Sequence, residues 1–426
     1  MLQTILNAFS VQDIRKKLLF TAAILALYRL GAYIPSPGVD ASTVKDIEEN
    51  FSGSNILGFL NLFSGGSLSR LSLFALGIMP YITASIILQL LTVVVPALER
   101  LQKEGEVGQQ KITQYTRYLT VGLAFGQSLG YVFLFESFQN QAGTSVVGEL
   151  TAPKLFLIVI SLTAGCTLLM WMGELITQRG IGNGISLMIF ASIVASLPNG
   201  IQAWWTNPDQ VFVVMMPFIA LAVIVAIVFV QEGQRRIPVQ YAKRVVGRRM
   251  TSGGSNYLPL RVNMAGVIPV IFAASIMAFP PTIGQLFGGT GDNFWLDFAA
   301  FFSPNSWAYV GGEVFFIIIF TYFYTAVTFN PVDQADNLKK YGGFIPGVRP
   351  GRPTAEYLDR ILSRLTFPGA LYLGAVAALP TILISQTSAN FFFGGTSILI
   401  IVGVALDTVK QLEAQLMMRN YEGFLK

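Results

Sequence analysis

Long apolar stretches recur along the whole chain and are separated by polar segments that carry most of its charge. A helix needs about 20 apolar residues to cross the hydrocarbon core of a membrane. Because ten stretches approach that length, the pattern predicts ten membrane-spanning helices and places both ends of the chain on one side. The ten stretches are 18–35, 71–95, 118–138, 154–176, 185–205, 211–230, 263–285, 309–330, 366–386 and 393–414.

The composition supports lipid as the surroundings of these helices. Apolar residues make up 53% of the chain, charged residues only 12%, and the mean hydropathy is +0.58. Soluble domains carry about 25% charged residues. The core of a soluble protein could not absorb this much apolar surface, so we predict an all-α integral membrane protein.

One apolar segment is too short to span a membrane. Residues 56–67, ILGFLNLFSGGS, are followed closely by the second predicted span, and Gly65 and Gly66 interrupt them. Two interpretations remain open, a helix folded back into the membrane and a surface helix lying at the interface. The first requires a cavity, because non-helical backbone is tolerated at membrane depth only inside protein or beside water.

The positive charges define the orientation of the spans. All but four of the 28 Lys and Arg residues fall in the N-terminal segment, in four alternate loops or in the C-terminal segment. Cytoplasmic segments are enriched in Lys and Arg, so we expect both termini and these loops in the cytoplasm. The bias sets topology and does not by itself indicate a function. The four exceptions are Arg29, Lys45, Arg70 and Lys154.

Two of the basic loops, 231–262 and 331–365, are longer than topology requires. Three prolines prevent residues 342–353, GGFIPGVRPGRP, from forming a helix. The loops are interpreted either as solvated anchors of topology or as a docking surface for a large anionic partner. Their length and charge favour the docking surface.

Several kinds of chemistry are excluded or disfavoured. The chain has no histidine and only one cysteine, Cys166, which excludes His-based metal sites, His-containing triads and internal disulfides. We interpret RGIGNGIS at 179–186 as a tight turn between spans, because no strand precedes it. Four acidic residues lie in or near spans without forming a pair within one span, which argues against proton relays and intramembrane hydrolysis. They are Glu136, Glu174, Glu313 and Asp407.

Long and specific strings resemble one family throughout the chain. In these strings the chain resembles the SecY family, the channel subunits of the bacterial protein-export translocon. The strings are FSGGSLSRLSLFALGIMPYITASIILQLLTVVVP (63–96), KEGEVGQQKITQYTRY (103–118), LMWMGELITQRGIGNGIS (169–186), LPLRVNMAGVIPVIFAASI (258–276), NPVDQADNLKKYGGFIPGVRPGRPTAEYLDRILSRLT (330–366) and FGGTSILIIVGVALD (393–407).

The resemblance implies a particular architecture. Ten helices form two inverted halves, 1–205 and 206–426, around an hourglass pore. Segment 56–67 corresponds to a plug in the outer funnel. A lateral gate towards lipid lies near Gln89 and Asn263, although ordinary hydrogen bonding between helices is an equal alternative for these two residues. The plug side chains implied are Leu57, Phe59, Leu60, Leu62 and Phe63.

The resemblance also implies a constriction of six isoleucines. Without it, isoleucines in a span are ordinarily packing or lipid-contact residues. Two helices contribute pairs at i and i+4, which lie on one helix face. A narrow apolar ring blocks ions by dewetting, and β-branched side chains are stiff. The six residues are Ile78, Ile82, Ile185, Ile189, Ile271 and Ile400.

The expected function is a non-enzymatic protein-conducting channel in the bacterial cytoplasmic membrane, driven by the SecA ATPase or the ribosome. It needs no cofactor or metal, and a secondary transporter with inverted repeats is the alternative. The resemblance implies SecE and SecG as partner subunits, signal sequences and nascent chains as substrates, and contact with lipids. SecA and ribosomal RNA are expected to dock on basic residues, namely Arg235, Arg236, Lys243, Arg244, Arg248, Arg249 and Arg349.

Overall fold

Helices dominate the described part of the chain. The computed structural model describes residues 9, 11–39, 61, 64–137, 151–205, 210–241, 244–246, 249–251, 255–277, 280, 294–302, 306–387 and 395–423. Its elements are α1 Gln12–Gly31, α2 Met79–Val94, α3 Pro96–Lys103, α4 Glu106–Ser137, α5 Ala152–Arg179, α6 Gly184–Trp205, α7 Gln210–Glu232, β1 Gln234–Tyr241, β2 Arg244–Val246, β3 Arg249–Thr251, β4 Ser255–Arg261, α8 Ile268–Met277, α9 Phe294–Phe301, α10 Trp307–Thr328, α11 Pro331–Lys340, β5 Gly343–Phe344, α12 Arg352–Thr387 and α13 Gly395–Gly423.

Helix starts follow local sequence signals. Proline stands in the first turn of α2, α3, α5 and α11, where the missing N–H has no helical partner to lose. Side-chain caps are found at the starts of α10 and α11, and in α11 the cap adds to the proline. The Ser306 hydroxyl accepts from the Tyr309 N–H of α10, and the Asn330 side chain accepts from the Val332 N–H of α11.

Several helices are suited to a membrane. Within the described residues, four stretches are long and apolar enough to span one: Ala152–Arg179, Val213–Glu232, Trp307–Lys340 and Arg352–Leu379. A fifth candidate is the pair α2 and α3, bent by 98° at Val95. The tight turn expected at 179–186 is confirmed, because α5 ends at Arg179 and α6 begins at Gly184.

The second predicted span, 71–95, differs from the expectation. Residues 64–78, which include the first eight residues of this span, form successive turns, and the helix begins only at Met79. Positive φ angles of 42° at Leu71 and 58° at Gly77 interrupt any continuous helix. Pro35 forms an isolated antiparallel bridge with Ser72, so this irregular backbone is bound to the end of α1.

The core is shared by almost all the long helices. One large apolar cluster includes residues of α1, α2, α5, α6, α7, α8, α10, α12 and α13. A second cluster packs the irregular residues Leu68, Leu71 and Leu76 between α4 and α5. The irregular segment is therefore enclosed by protein, which is the condition that non-helical backbone requires at membrane depth.

A bidentate ion pair joins α4 to α5. Arg117 Nε donates to Glu174 Oε1 at 2.9 Å, and Arg117 Nη2 donates to Glu174 Oε2 at 2.6 Å. The Glu174 side chain is only 11% exposed. The sequence analysis singled out Glu174 but not its partner, because the two residues lie on different helices.

Glycines let two pairs of segments approach closely. A Cβ on Gly165 of α5 would overlap the Leu73 carbonyl of the irregular segment, and one on Gly184 of α6 would overlap the Gly173 carbonyl of α5. Both neighbours are backbone atoms and cannot rotate away. Glycine is therefore required at these positions by space.

Gly165→Ala is expected to destabilise the protein, because the added methyl group must displace backbone at Leu73. Overpacking of this kind costs about 1–3 kcal/mol. Gly122→Ala in α4 is the matched control, since a Cβ there meets nothing within 4 Å and alanine favours a helix by about 0.5–1 kcal/mol. Thermal unfolding in detergent measures both. Equal melting temperatures for the two variants would contradict the packing argument.

Strands unite the two long basic loops. β1 pairs with β4 in antiparallel register from Gln234↔Arg261 to Gln240↔Ser255, and β5 adds to the other edge of β1. Segment 331–365, expected to be a loop, contains α11 and the start of α12 and is irregular mainly between them. Residues 342–353 form no helix before Arg352, as expected from their prolines.

Candidate functional site

The six isoleucines expected at the constriction come from four regions of the chain and lie in one apolar cluster. Ile78 immediately precedes α2, which carries Ile82; Ile185 and Ile189 lie in the first turns of α6; Ile271 is in α8 and Ile400 in α13. Five of the six are no more than 5% exposed, and Ile185 is half-buried against the same cluster.

Gly173 of α5 lies close to two of these side chains. A Cβ on Gly173 would lie 3.6 Å from Ile185 Cγ1 and 3.7 Å from Ile78 Cδ1. Ile185 of α6 and Ile78, which precedes α2, therefore both lie beside Gly173. Sequence analysis did not find Gly173, because a glycine inside an apolar span leaves no hydropathy signal.

The side chains that pack with the isoleucines are mainly aliphatic or aromatic, and none of them carries a formal charge. An apolar constriction offers no fixed hydrogen-bond donor or acceptor to a passing molecule, and it excludes ions when it dewets. Among the described residues, no group of three or more His, Cys, Asp or Glu side chains could hold a metal ion. The arrangement suits a barrier that makes no sequence-specific contacts.

A cavity of about 410 Å³ borders the apolar cluster at Val267 and Val404, although none of the six isoleucines lines it. Its walls include Ser186 and Val404, which stand next to Ile185 and one turn beyond Ile400. Arg261, Asp407 and Lys410 give the same cavity charges of both signs. Lys410 Nζ also pairs with Glu232 Oε1 at 2.8 Å. The apolar cluster therefore adjoins a charged mouth, which the sequence analysis did not identify.

The two gate residues differ in their surroundings. Asn263 is 5% exposed; its Nδ2 donates to the Gly266 carbonyl at 2.9 Å, and its Oδ1 has no hydrogen-bond partner in the described part of the chain. Gln89 is half-buried on α2, and its carbonyl accepts from the Thr92 hydroxyl. Helices α2 and α8 are in contact where Ser275 Oγ lies 3.8 Å from Met79 Sδ, and the Ser275 hydroxyl donates to the Ile271 carbonyl at 2.7 Å. The sequence analysis named neither Ser275 nor Met79.

The expected plug side chains lie outside the described residues. They are Leu57, Phe59, Leu60, Leu62 and Phe63. The chain is described again from Ser64, at the start of the irregular segment that leads to α2. Ser64, Gly65, Ser67, Leu68 and Ser69 are all buried.

Strands β4, β1 and β5 form a small sheet, and its strand β1 carries two of the basic residues expected to dock partners, Arg235 and Arg236. Ile237 and Val239 of β1 face inward and pack in a cluster with Leu358 and Leu362 of α12. This packing and the β1–β5 pairing hold the two long loops together as one unit. The side of this unit that packs against α12 is apolar, so the opposite side can contact solvent or a partner.

Three of the seven expected docking residues are described as exposed side chains: Arg235, Arg236 and Arg349. Arg349 lies in a tight turn before α12, where the Thr354 hydroxyl donates to its carbonyl at 2.8 Å. Arg244 and Arg249 belong to the hairpin of β2 and β3, whose side chains are not described. Lys243 and Arg248 lie outside the described residues.

Comparison with known proteins assigns the family. The sequence model of the SecY family matches residues 72–409. The protein translocase subunits SecY of Mycobacterium tuberculosis (strain ATCC 25618 / H37Rv) and Streptomyces scabiei are 51% and 50% identical to this chain, with complete coverage of both sequences in each case.

Solved structures share the fold. One is described as "The structure of a protein conducting channel", and another as Sec61 in the canine ribosome-channel complex from the endoplasmic reticulum. Each has a TM-score of 0.61 and 20% identity, and each alignment covers 93% of this chain and 91% of the other. From the family match and the full-length relatives, it follows that the chain belongs to the SecY family.

Proposed function

We propose that the chain is a protein-conducting channel, which passes unfolded preproteins across the membrane and releases apolar segments sideways into lipid. The observation that supports this proposal is that all six isoleucines belong to one apolar cluster or pack against it, and that Val267 and Val404 of the same cluster also line a charged cavity. In a chain of the SecY family, such a cluster serves as a seal that makes no sequence-specific contacts with a passing polypeptide. Ile78, Ile82, Ile185, Ile189, Ile271 and Ile400 form that seal.

The proposed membrane topology has ten spans in two inverted halves, 1–205 and 206–426, with segment 56–67 as the plug. The apolar stretches and the one-sided distribution of Lys and Arg support it. In this topology both termini and the two long basic loops lie in the cytoplasm, and the membrane is the bacterial cytoplasmic membrane.

The lateral gate runs between α2 and α8. Gln89 and Asn263 contribute polar groups to it, together with the Ser275–Met79 contact. Hydrogen bonds between membrane helices contribute only about 0.6–2 kcal/mol each. An apolar signal helix therefore competes effectively for the space between the gate helices, and lipid takes up the released segment.

Partners supply the energy that an uncharged pore lacks. SecE and SecG complete the complex, and SecA or a translating ribosome docks on the unit formed by the two basic loops. Arg235 and Arg236 contact ribosomal RNA phosphates, as do Lys243, Arg244, Arg248 and Arg249, while Arg349 supports SecA. The exposed arginines of the joined loops and the relative described in a ribosome–channel complex support this assignment.

Reconstitution tests the proposed function directly. The complex of this chain with SecE and SecG is placed in liposomes with SecA, ATP and a labelled preprotein, and protease-protected preprotein is measured. ATP-dependent protection is expected, and it should disappear without ATP or when the preprotein lacks its signal sequence. A well-folded complex that protects no preprotein would reject the proposal. Saturable uptake of a small solute coupled to an ion gradient would favour the transporter instead.

A further inference from the structure

Helix α9 is short and rich in aromatic residues. It spans Phe294–Phe301, with the sequence FWLDFAAF, and Phe302 follows it directly. The side chains of Phe294, Trp295 and Phe301 are 73%, 40% and 61% exposed. Large exposed apolar patches mark surfaces that bind proteins, membranes or ligands, so the exposure of these rings requires an explanation.

The aromatic rings of α9 pack on one another. Phe294 stacks on Phe298 with ring centroids 6.2 Å apart, and Phe298 lies 5.1 Å from Phe302. Positions 294, 298 and 301 share one face of the helix, because they are spaced as i, i+4 and i+7. None of the apolar clusters found within the described residues includes a residue of α9. The aromatic patch is defined as Phe294, Trp295, Phe298, Phe301 and Phe302.

The exposed face of α10 locates the membrane boundary beside this patch. Exposed residues recur along α10 every three or four positions, which places them on one helix face. They are Trp307, Gly311, Phe315, Ile319 and Tyr322. Because α10 belongs to a stretch long and apolar enough to span a membrane, this face meets lipid. Trp307 is the first residue of α10, and tryptophan is enriched where spans reach the headgroups. In the proposed topology this end of α10 lies on the outer side of the membrane.

One hydroxyl group joins the aromatic patch to α10. Ser306 Oγ donates to the Phe301 carbonyl at 2.6 Å and accepts from the Tyr309 N–H at 3.1 Å. The end of α9 and the first turn of α10 are therefore held by the same side chain. Helix α10 in turn packs on α8, where the rings of Phe320 and Phe272 meet edge to face at 5.8 Å. Through α10, the patch is attached to one helix of the proposed gate.

The charge of this region decides which force could hold it at a membrane. Residues 294–307 contain no Lys or Arg, and Asp297 is their one charged residue. Anionic headgroups attract basic residues, so such attraction cannot hold this segment. Burial of aromatic rings at the interface needs no charge. The patch also continues directly into the lipid-facing side of α10, which favours the bilayer as its partner.

We propose that the aromatic patch and Trp307 bind the outer interface of the lipid bilayer and set the depth at which α10 lies in the membrane. The rings enter the region between headgroups and acyl chains. Ser306 holds the start of α10 at the height that the rings define. This inference goes beyond the proposed channel function, and its test requires no transport.

Site-directed spin labelling measures where α9 lies. A nitroxide is attached to Phe294→Cys, on the aromatic face, or to Ala300→Cys, about 120° away around the helix. Cys166 is buried and does not take up the label. Each variant is purified with cysteine-free SecE and SecG and placed in vesicles of phosphatidylcholine, with or without phosphatidylglycerol. Collisions of the nitroxide with oxygen report lipid, and collisions with a nickel complex report water.

The labels at 294 and 300 should differ. Oxygen should dominate at 294, with the label about 5–10 Å into the boundary between headgroups and acyl chains, and the nickel complex should dominate at 300. Phosphatidylglycerol should change neither, since no basic residue takes part. Two labels that meet only the nickel complex would place α9 in water, and two that meet neither reagent would place it under protein. Either result would overturn the proposal, as would oxygen alone at both positions or lipid contact that requires phosphatidylglycerol.

A third label, on Gly311→Cys, reports the depth of α10. A Cβ at this position meets nothing within 4 Å, so the label fits without displacing other atoms. Replacing Phe294, Trp295 and Phe301 together by serine should shift this label towards water by about 1.5–5 Å, the rise of one residue to one turn. The reason is that serine favours water over the interface. A label that stays at its wild-type depth would contradict the proposal that the patch sets the depth of α10.

Two comparisons make the shift specific. Ser306→Ala should move the label at 311 in the same direction, whereas Ser306→Thr retains the hydroxyl group and should not. The matched control replaces Phe133, Phe156 and Trp205 by serine, since these are exposed rings at the outer ends of α4, α5 and α6. It should leave the label at 311 in place. An equal shift in this control would show that any loss of outer aromatic rings has the effect, and it would reject the special role of α9.

Discussion

Replacing Ile82 and Ile189 together by glycine is expected to raise the resting ion conductance of the reconstituted complex by on the order of tenfold. The two side chains are 3% and 1% exposed, and they reach the apolar cluster from α2 and α6. Their removal leaves room for water where a dewetted barrier is proposed. Conductance of single complexes in planar bilayers, without any preprotein, measures the effect.

The same substitutions also destabilise the fold, so the comparison needs a control variant that loses a similar free energy of unfolding. Each exchange of a buried isoleucine for a much smaller residue costs about 2–5 kcal/mol, and glycine in a helix about 0.5–1 kcal/mol more. Ile158 of α5 and Ile361 of α12 are 1% and 7% exposed and belong to other clusters than the six. Their double glycine variant should lose stability without leaking.

A second comparison tests the apolar character of the barrier. Leucine at positions 82 and 189 keeps the volume and the hydrophobicity, so this variant should remain as tight as the wild type. A glycine pair that leaks no more than the leucine pair, or no more than the control at 158 and 361, would contradict the assignment of the seal.

Hydropathy predicted apolar spans but could not indicate where helices begin. Residues 71–78 were predicted to begin a span, yet positive φ angles at Leu71 and Gly77 keep them irregular, and packing against α4 and α5 replaces lipid around them. Composition is the same for an apolar helix and an apolar irregular segment. Only tertiary contacts, such as Gly165 against Leu73, distinguish the two.

The sequence of the first basic loop contains an alternation of apolar and polar residues that is typical of a strand. In β1 the buried Ile237 and Val239 alternate with exposed Arg236, Pro238 and Gln240, which is the period of a half-buried strand. The pairing of β1 with β5 could not be predicted from the sequence, because no local pattern relates two segments so far apart. The isoleucine assignment likewise required the family resemblance, since isoleucine in a span is ordinarily only packing.

Replacing Arg235, Arg236 and Arg349 together by glutamine is expected to weaken ribosome binding and to make it less sensitive to salt. These arginines are exposed on one unit, because β1 and β5 join the two loops. Each phosphate contact contributes roughly 0.7–0.9 to the slope of log affinity against log salt, so losing the two contacts assigned to Arg235 and Arg236 should reduce the slope by about 1.4 to 1.8. Titration of ribosomes against the labelled complex at several salt concentrations measures it.

The matched control replaces Arg100, Lys103 and Lys111 by glutamine. These residues are also exposed and basic, and both triple variants lower the formal net charge of the chain from +5 to +2. A change caused by net charge alone would appear equally in both, whereas docking on the joined loops affects only the first. Equal salt slopes in the two variants would reject the docking surface. A reduced slope confined to the first variant would locate phosphate contacts on the unit that contains β1 and β5, because charge at that place, rather than charge in total, would then determine the affinity.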